Sequence, residues 1–205
     1  MSRTDGRGCN PAALRGVLGK VTDVDDLPRR LGRDLDAVFG DLVAGYERAV
    51  FTTALRLSGR PDDAADLAAE AFLRAYAALR DYPAERVEAL RLRPWLVTIV
   101  LNLVRNEART ASRRPVQVAL DPWAHPADAS ENPEDQAQRH DGQARLGCLL
   151  AELPENQRTA VVLRHVVGLP YAELAEVMAC PEGTAKSHVA RGLQRLRALI
   201  PEEGP

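Results

Sequence analysis

The stretch from Tyr171 to Arg197 constrains the fold more than any other part of this chain. It reads as a helix, a tight turn and a second helix that begins at Pro181-Glu182-Gly183-Thr184. A short helix joined by a tight turn to a second one is the layout of a helix-turn-helix, whose second helix can enter a DNA major groove. Spacing the second helix at about 100° per residue sorts its side chains into two faces. Ala185, Val189, Leu193, Leu196 and Ile200 fall on one side and should pack inward. Thr184, Ser187, His188, Arg191 and Arg195 fall on the other, with Lys186 and Arg197 toward a flank. Arginine can bond bidentately to guanine, and Ser and Thr are adaptable donors and acceptors, so this face suits groove reading. The competing reading is a solvated face on a C-terminal helix.

Upstream, helical periodicity appears at Asp34 and continues through three segments. Leu35, Val38, Phe39, Leu42, Tyr46, Ala49, Val50, Ala54 and Leu57 recur at three- and four-residue steps, which marks one apolar face. Ser58-Gly59-Arg60-Pro61 should stop that helix. A second helix from near Asp62 carries Ala64, Leu67, Ala68, Ala71, Phe72, Ala75 and Leu79 on its apolar side. Arg80 to Arg93 is expected to be a connection broken by Pro83. A third helix, opened by Pro94, should bury Trp95, Leu96, Ile99, Val100, Leu103 and Val104.

Residues 115–143 change character. They hold Pro115, Pro122, Pro126 and Pro133, show little periodicity and are predominantly acidic, as expected of an extended linker. Helical patterning resumes with Leu146, Leu149, Leu150 and Leu153, then with Ala160, Val161, Leu163 and Val167 up to a stop at Gly168. No strand pattern competes. The expected fold is all-α: two small helical domains joined by a flexible acidic linker, the second containing the helix-turn-helix. The divisions are a mobile leader over 1–33 with a short helix at Ala12 to Leu18, a first domain over 34–114, a linker over 115–143 and a second domain over 144–201.

Charge separates the two central helices of the first domain. Between residues 61 and 90, seven acids face three arginines, whereas between 91 and 114 six arginines face one acid. Asn102, Asn106 and Arg109 share one face at four- and three-residue steps, and Asn offers a paired donor and acceptor to a base edge. An acidic helix would repel DNA but suits a basic protein partner. Each stripe taken alone also fits ordinary solvated surface favoured by the helix dipole.

Catalysis finds little support. Cys9, Cys148 and Cys180 form no CxxC pair, and His125, His140, His165 and His188 are scattered. No HExxH, GxSxG or GxxxxGK[ST] motif occurs, so neither a metal nor another cofactor is expected. The longest apolar run, Trp95 to Val104, is far too short to span a bilayer. A cytoplasmic location is expected, with no membrane partner. The formal net charge is −2, so attraction to DNA must come from local patches.

Three segments in this order resemble the bacterial sigma-70 family. Asp62 to Tyr76 is similar to the core-binding helix, Trp95 to Arg109 to the promoter-reading helix beside it, and Leu153 to Arg191 to the C-terminal promoter-binding domain. The compact extracytoplasmic-function group keeps only these two domains. The resemblance implies a factor that binds core RNA polymerase, recognises promoter DNA and starts transcription, without being an enzyme. It implies that Asp63, Asp66, Glu70 and Phe72 meet polymerase. Asn102, Asn106 and Arg109 would engage the minus-ten element, with the Arg80 to Arg93 segment capturing a flipped base. Lys186, Ser187 and Arg191, with Thr184, His188 and Arg195 beside them, would read the minus-thirty-five element, and Arg158 would hold phosphate. An anti-sigma factor is a further candidate partner. Ala65 and Ala69 stand where the family usually carries Glu and Gln, and His188 where Arg is more common. Two rival readings are a stand-alone helix-turn-helix regulator and a sigma-like protein that acts only through protein contacts.

On this reading Arg191→Ala should cost about 1–3 kcal/mol at a cognate promoter, as for a lost base contact. Unchanged promoter strength in a transcription assay would remove Arg191 from the reading set.

Overall fold

A hydrogen-bonded aspartate opens the longest helix, and a left-handed glycine ends it. Asp34 accepts the Ala37 N–H at 3.0 Å, and Gly59 adopts φ 73° while its N–H bonds Leu55 O. The computed structural model describes residues 26–111, 142 and 145–200. Within them lie α1 (Leu27–Arg33), α2 (Leu35–Ser58), α3 (Pro61–Asp81), α4 (Ala84–Glu88) and α5 (Leu92–Ala111). Then come α6 over 145–151, α7 (Glu155–Val161) with a π-helical turn at Val162–Val166, α8 (Tyr171–Met178) and α9 (Glu182–Leu199). No strand occurs among the described residues.

The first core gathers α1 to α5 around Leu42, Val50, Ala64, Ala71, Leu96 and Val100. Every apolar residue expected inward from α3 is buried there. Two elements were not expected. Residues 27–33, assigned to the leader, form a helix with Leu27 and Leu31 buried in this core. Two leucines four residues apart make too short a stripe to stand out in sequence, yet they close the bundle. The rest of the leader, including Ala12 to Leu18, lies outside the described residues, as does the expected linker apart from Gly142. The other addition is α4, inside the expected connection. Pro83 both ends α3 and precedes α4, because its fixed φ suits the start of a helix and not its interior. Val87 is buried, and α4 lies close against α1 at Gly32, where an added Cβ would stand 3.1 Å from Glu88 Cγ.

The second core is built from Leu150, Leu153, Ala160 to Leu163, Leu169, Leu174, Val177, Met178, Ala185 and Val189. The π-helical turn adds one residue to the repeat, with Val167 N–H bonding Val162 O at 3.0 Å. That shift buries Val162 with Leu163 and leaves the expected Val167 only half-buried. Between α8 and α9, Ala179 takes φ 51°, with its N–H on Glu176 O and the Cys180 N–H on Ala175 O. This is a Schellman turn built on alanine where glycine is usual.

The two cores are not isolated. Leu57 of α2 and Val97 and Leu101 of α5 belong to the second one, so the blocks pack directly on each other. Ion pairs border this contact: Arg91 with Glu173 at 3.2 Å and with Glu176, and Arg105 with Glu155 at 3.4 Å.

Gly192 sets how closely α9 approaches α7. A Cβ there would lie 2.6 Å from Val161 Cγ2 and 3.2 Å from Gln157 O. Gly192→Ala gains about 1 kcal/mol of helix propensity. It loses roughly 1–3 kcal/mol to overpacking. A net destabilisation is expected in denaturant unfolding, and unchanged or higher stability would show that the two helices separate freely.

Candidate nucleic-acid interface and partner surface

Helix α9 presents an exposed row of Thr184, Ser187, Arg191 and Arg195. Ser187 donates its hydroxyl to Gly183 O at 2.9 Å, which leaves the oxygen available as an acceptor. Lys186 lies toward α8 instead. Its ammonium is 2.6 Å from a Glu182 carboxylate oxygen and 5.5 Å from the Tyr171 ring centroid. Arg164 meets the same ring at 4.8 Å while donating to Leu169 O at 2.9 Å. This cluster holds the start of α8 against the start of α9. His188 departs from the expected outward face: it is half-buried, and its enclosed Nδ1 has no hydrogen-bond partner among the described residues. The cause is angular. His188 stands one turn before Gly192, on the edge of α9 that α7 approaches most closely.

Helix α5 has three faces. Leu96, Val100 and Leu103 enter the first core, while Val97 and Leu101 enter the second. The remaining arc carries Asn102, Asn106 and Arg109, all exposed. A helix buried on two sides holds its third face at a fixed angle while the two blocks are packed together.

The solvent face of α3 carries Asp62, Asp66, Glu70 and Leu73. Glu70 pairs with Arg74 at 2.7 Å. Asp63 is partly withdrawn, 18% exposed and 2.9 Å from Arg60. Phe72 is a correction: it is 9% exposed and sits in the first core, so its ring is not on this surface. Leu73, next in sequence, is 66% exposed and ends the row formed by Asp62, Asp66 and Glu70. Leu73 is absent from the expected site, although the sequence carries its signal: a large apolar residue off the apolar stripe of its helix.

Between the blocks lies a cleft of about 180 Å³, lined by Arg60, Asp63, Arg105, Glu107, Glu155 and Arg158 among others. Arg158, expected to hold phosphate, is half-buried here rather than on the open face of α9. Burial raises the Glu107 carboxyl above its ordinary pKa, helped by the negative charges of Asp63 and Asp66 and opposed by Arg60. Among the described residues no cluster of ligating side chains could hold a metal ion, and no helix is long and apolar enough to cross a membrane.

Comparison with known proteins agrees with this geometry. Residues 42–114 match "Sigma-70 region 2" and residues 143–196 match "Sigma-70, region 4". The RNA polymerase sigma-H factor of Pseudomonas aeruginosa is 31% identical over 183 residues, covering 85% of this chain and 93% of that protein. The ECF RNA polymerase sigma factor EcfG of Rhodopseudomonas palustris is 33% identical over 170 residues, covering 82% and 88%. The sigma factor RpoE of Bartonella quintana, solved in complex with the anti-sigma factor NepR, superposes with a TM-score of 0.59 at 26% identity, covering 76% of this chain and 92% of that one. CnrH, solved with the cytosolic domain of CnrY, shares the fold at a TM-score of 0.63 and 24% identity, covering 88% and 98%.

The raised Glu107 pKa has a sign that can be tested. The folded chain holds this proton more tightly than the unfolded chain, so stability falls as pH rises above the ordinary carboxylate pKa of about 4.3. Glu107→Gln should therefore raise the unfolding midpoint at neutral pH, and the gain should shrink in acid. A thermal scan showing the same gain at both pH values would remove charge as its cause.

Proposed function

The chain belongs to the extracytoplasmic-function group of the sigma-70 family, non-enzymatic factors that bind core RNA polymerase and direct it to promoters, and on that premise we propose how its surfaces divide the work. Polymerase docks on α3 through Asp66, Glu70 and Leu73, the acidic stripe and the exposed apolar residue that ends it. The stripe of Asn102, Asn106 and Arg109 on α5 engages the minus-ten element. Thr184, Ser187, Arg191 and Arg195 on α9 read the minus-thirty-five element, with Lys186 at the flank. The separation of an acidic, partly apolar face from two polar and basic ones is the observation that carries this division. One block must hold a protein and DNA at once, and opposite charge on different helices lets it do so without competition.

Relatives align across both blocks, which favours a two-domain initiation factor over a stand-alone regulator. By the precedent of the Bartonella factor and NepR, an anti-sigma protein is a further partner of this chain. Promoter recognition places the protein in the cytoplasm, where polymerase and DNA are.

Leu73 serves as the anchor of the docking surface. An exposed apolar side chain beside a row of acids is stabilised when a partner covers it and removes it from water. Leu73→Ala should weaken core binding by at least about 1 kcal/mol, roughly fivefold, and Asp66→Arg should also weaken it. Titration of each variant against core polymerase tests the assignment. Wild-type affinity in both would move the docking surface away from α3.

A further inference from the structure

Arg91 is the residue that the division of labour above leaves unexplained. Its carbonyl accepts the Trp95 N–H at 3.1 Å, so Arg91 sits at the entry of α5 in helical register. Asn102 follows after eleven residues and Arg109 after eighteen, close to three and five whole turns. Arg91 therefore stands in line with the polar stripe of α5, about 27 Å from its far end at a rise of 1.5 Å per residue. A nucleic-acid strand along that stripe would meet a guanidinium at each end.

In the closed chain this guanidinium is taken. Nη1 lies 3.2 Å from Glu173 Oε1, and Nη2 pairs with Glu176, so two carboxylates of α8 share one arginine. Arg105, farther along α5, is similarly met by Glu155 of α7 at 3.4 Å. Ion pairs as exposed as these contribute little to holding domains together, and the apolar contact of Leu57, Val97 and Leu101 already does so. Carboxylates on a basic stripe have another effect: they occupy the arginines that would otherwise attract phosphate.

We propose that Arg91 is a DNA-phosphate ligand of α5, and that Glu173 and Glu176 of the helix-turn-helix block fill its phosphate position while the two blocks are packed together. The free chain thereby withholds a DNA contact that becomes available once the blocks separate on a promoter. This rests on the reading of α5 as a DNA-binding helix.

A mutant cycle on the full-length free chain tests it. The forms are wild type, Glu173→Gln/Glu176→Gln, Arg91→Gln and the triple variant. Arg91 is 53% and Glu176 59% exposed, and the less exposed Glu173, at 20%, is replaced by an amide of the same shape, so the cores stay intact. The probe is a mixed-sequence DNA duplex titrated over a range of salt concentrations. Removing the two carboxylates should tighten binding severalfold and steepen the salt dependence by about 0.9, the value of one added phosphate contact. In the Arg91→Gln background the same change should yield neither effect. An equal gain in both backgrounds would mean that the glutamates merely repel DNA, and no gain in either would mean that Arg91 meets no phosphate; each overturns the proposal. Promoter-directed transcription by the wild-type chain with core polymerase is read in parallel. Its failure would strike the underlying reading, and the cycle on the free chain would still decide the role of Arg91.

Discussion

Burial of α5 on two sides governs the rest of this structure. Leu96, Val100 and Leu103 fill the core of the first block, while Val97 and Leu101 fill that of the second. A helix with one apolar stripe can rock about its contact line, whereas one gripped from two directions cannot. The polar arc of Asn102, Asn106 and Arg109 is thus held at a fixed angle to both blocks. The same double contact brings α8 to the entry of α5, where Arg91 meets Glu173 and Glu176. Any separation of the blocks, as proposed on a promoter, would expose Val97 and Leu101, so an apolar term opposes opening.

Charge is arranged with the same economy. The formal net charge of −2 conceals an acidic α3, a basic α5 and a mixed cleft in which Asp63, Glu107 and Glu155 face Arg60, Arg105 and Arg158. Near-neutrality limits indiscriminate attraction to DNA, because phosphate binding grows with each unpaired cation. Local segregation preserves specific contacts. The raised pKa of Glu107 marks where this crowding costs stability: the carboxyl is partly buried beside other acids.

Much of the helical layout was legible because a 3.6-residue repeat projects directly onto sequence. The inward faces of α2 and α3, the stop at Gly59 and the turn between α8 and α9 all follow from that repeat and from residues that break it. The misreadings have physical causes. Phe72 and Leu73 are adjacent apolar residues, and a rotation of 100° puts the first in the core and the second in solvent. Helix α1 escaped notice because seven residues hold only two buried leucines, whose value depends on a bundle far along the chain. His188 looked outward until the close approach at Gly192 brought α7 against its edge.

By itself, then, the sequence determined an all-helical chain with two apolar blocks, an acidic helix, a basic helix and a C-terminal helix-turn-helix, because periodicity, turn residues and charge are local properties. Tertiary structure alone decided which side chains those helices leave to solvent and which they share. The second apolar face of α5 and the capture of Arg91 by Glu173 and Glu176 both depend on residues brought together across dozens of positions of chain, a juxtaposition that no local pattern records.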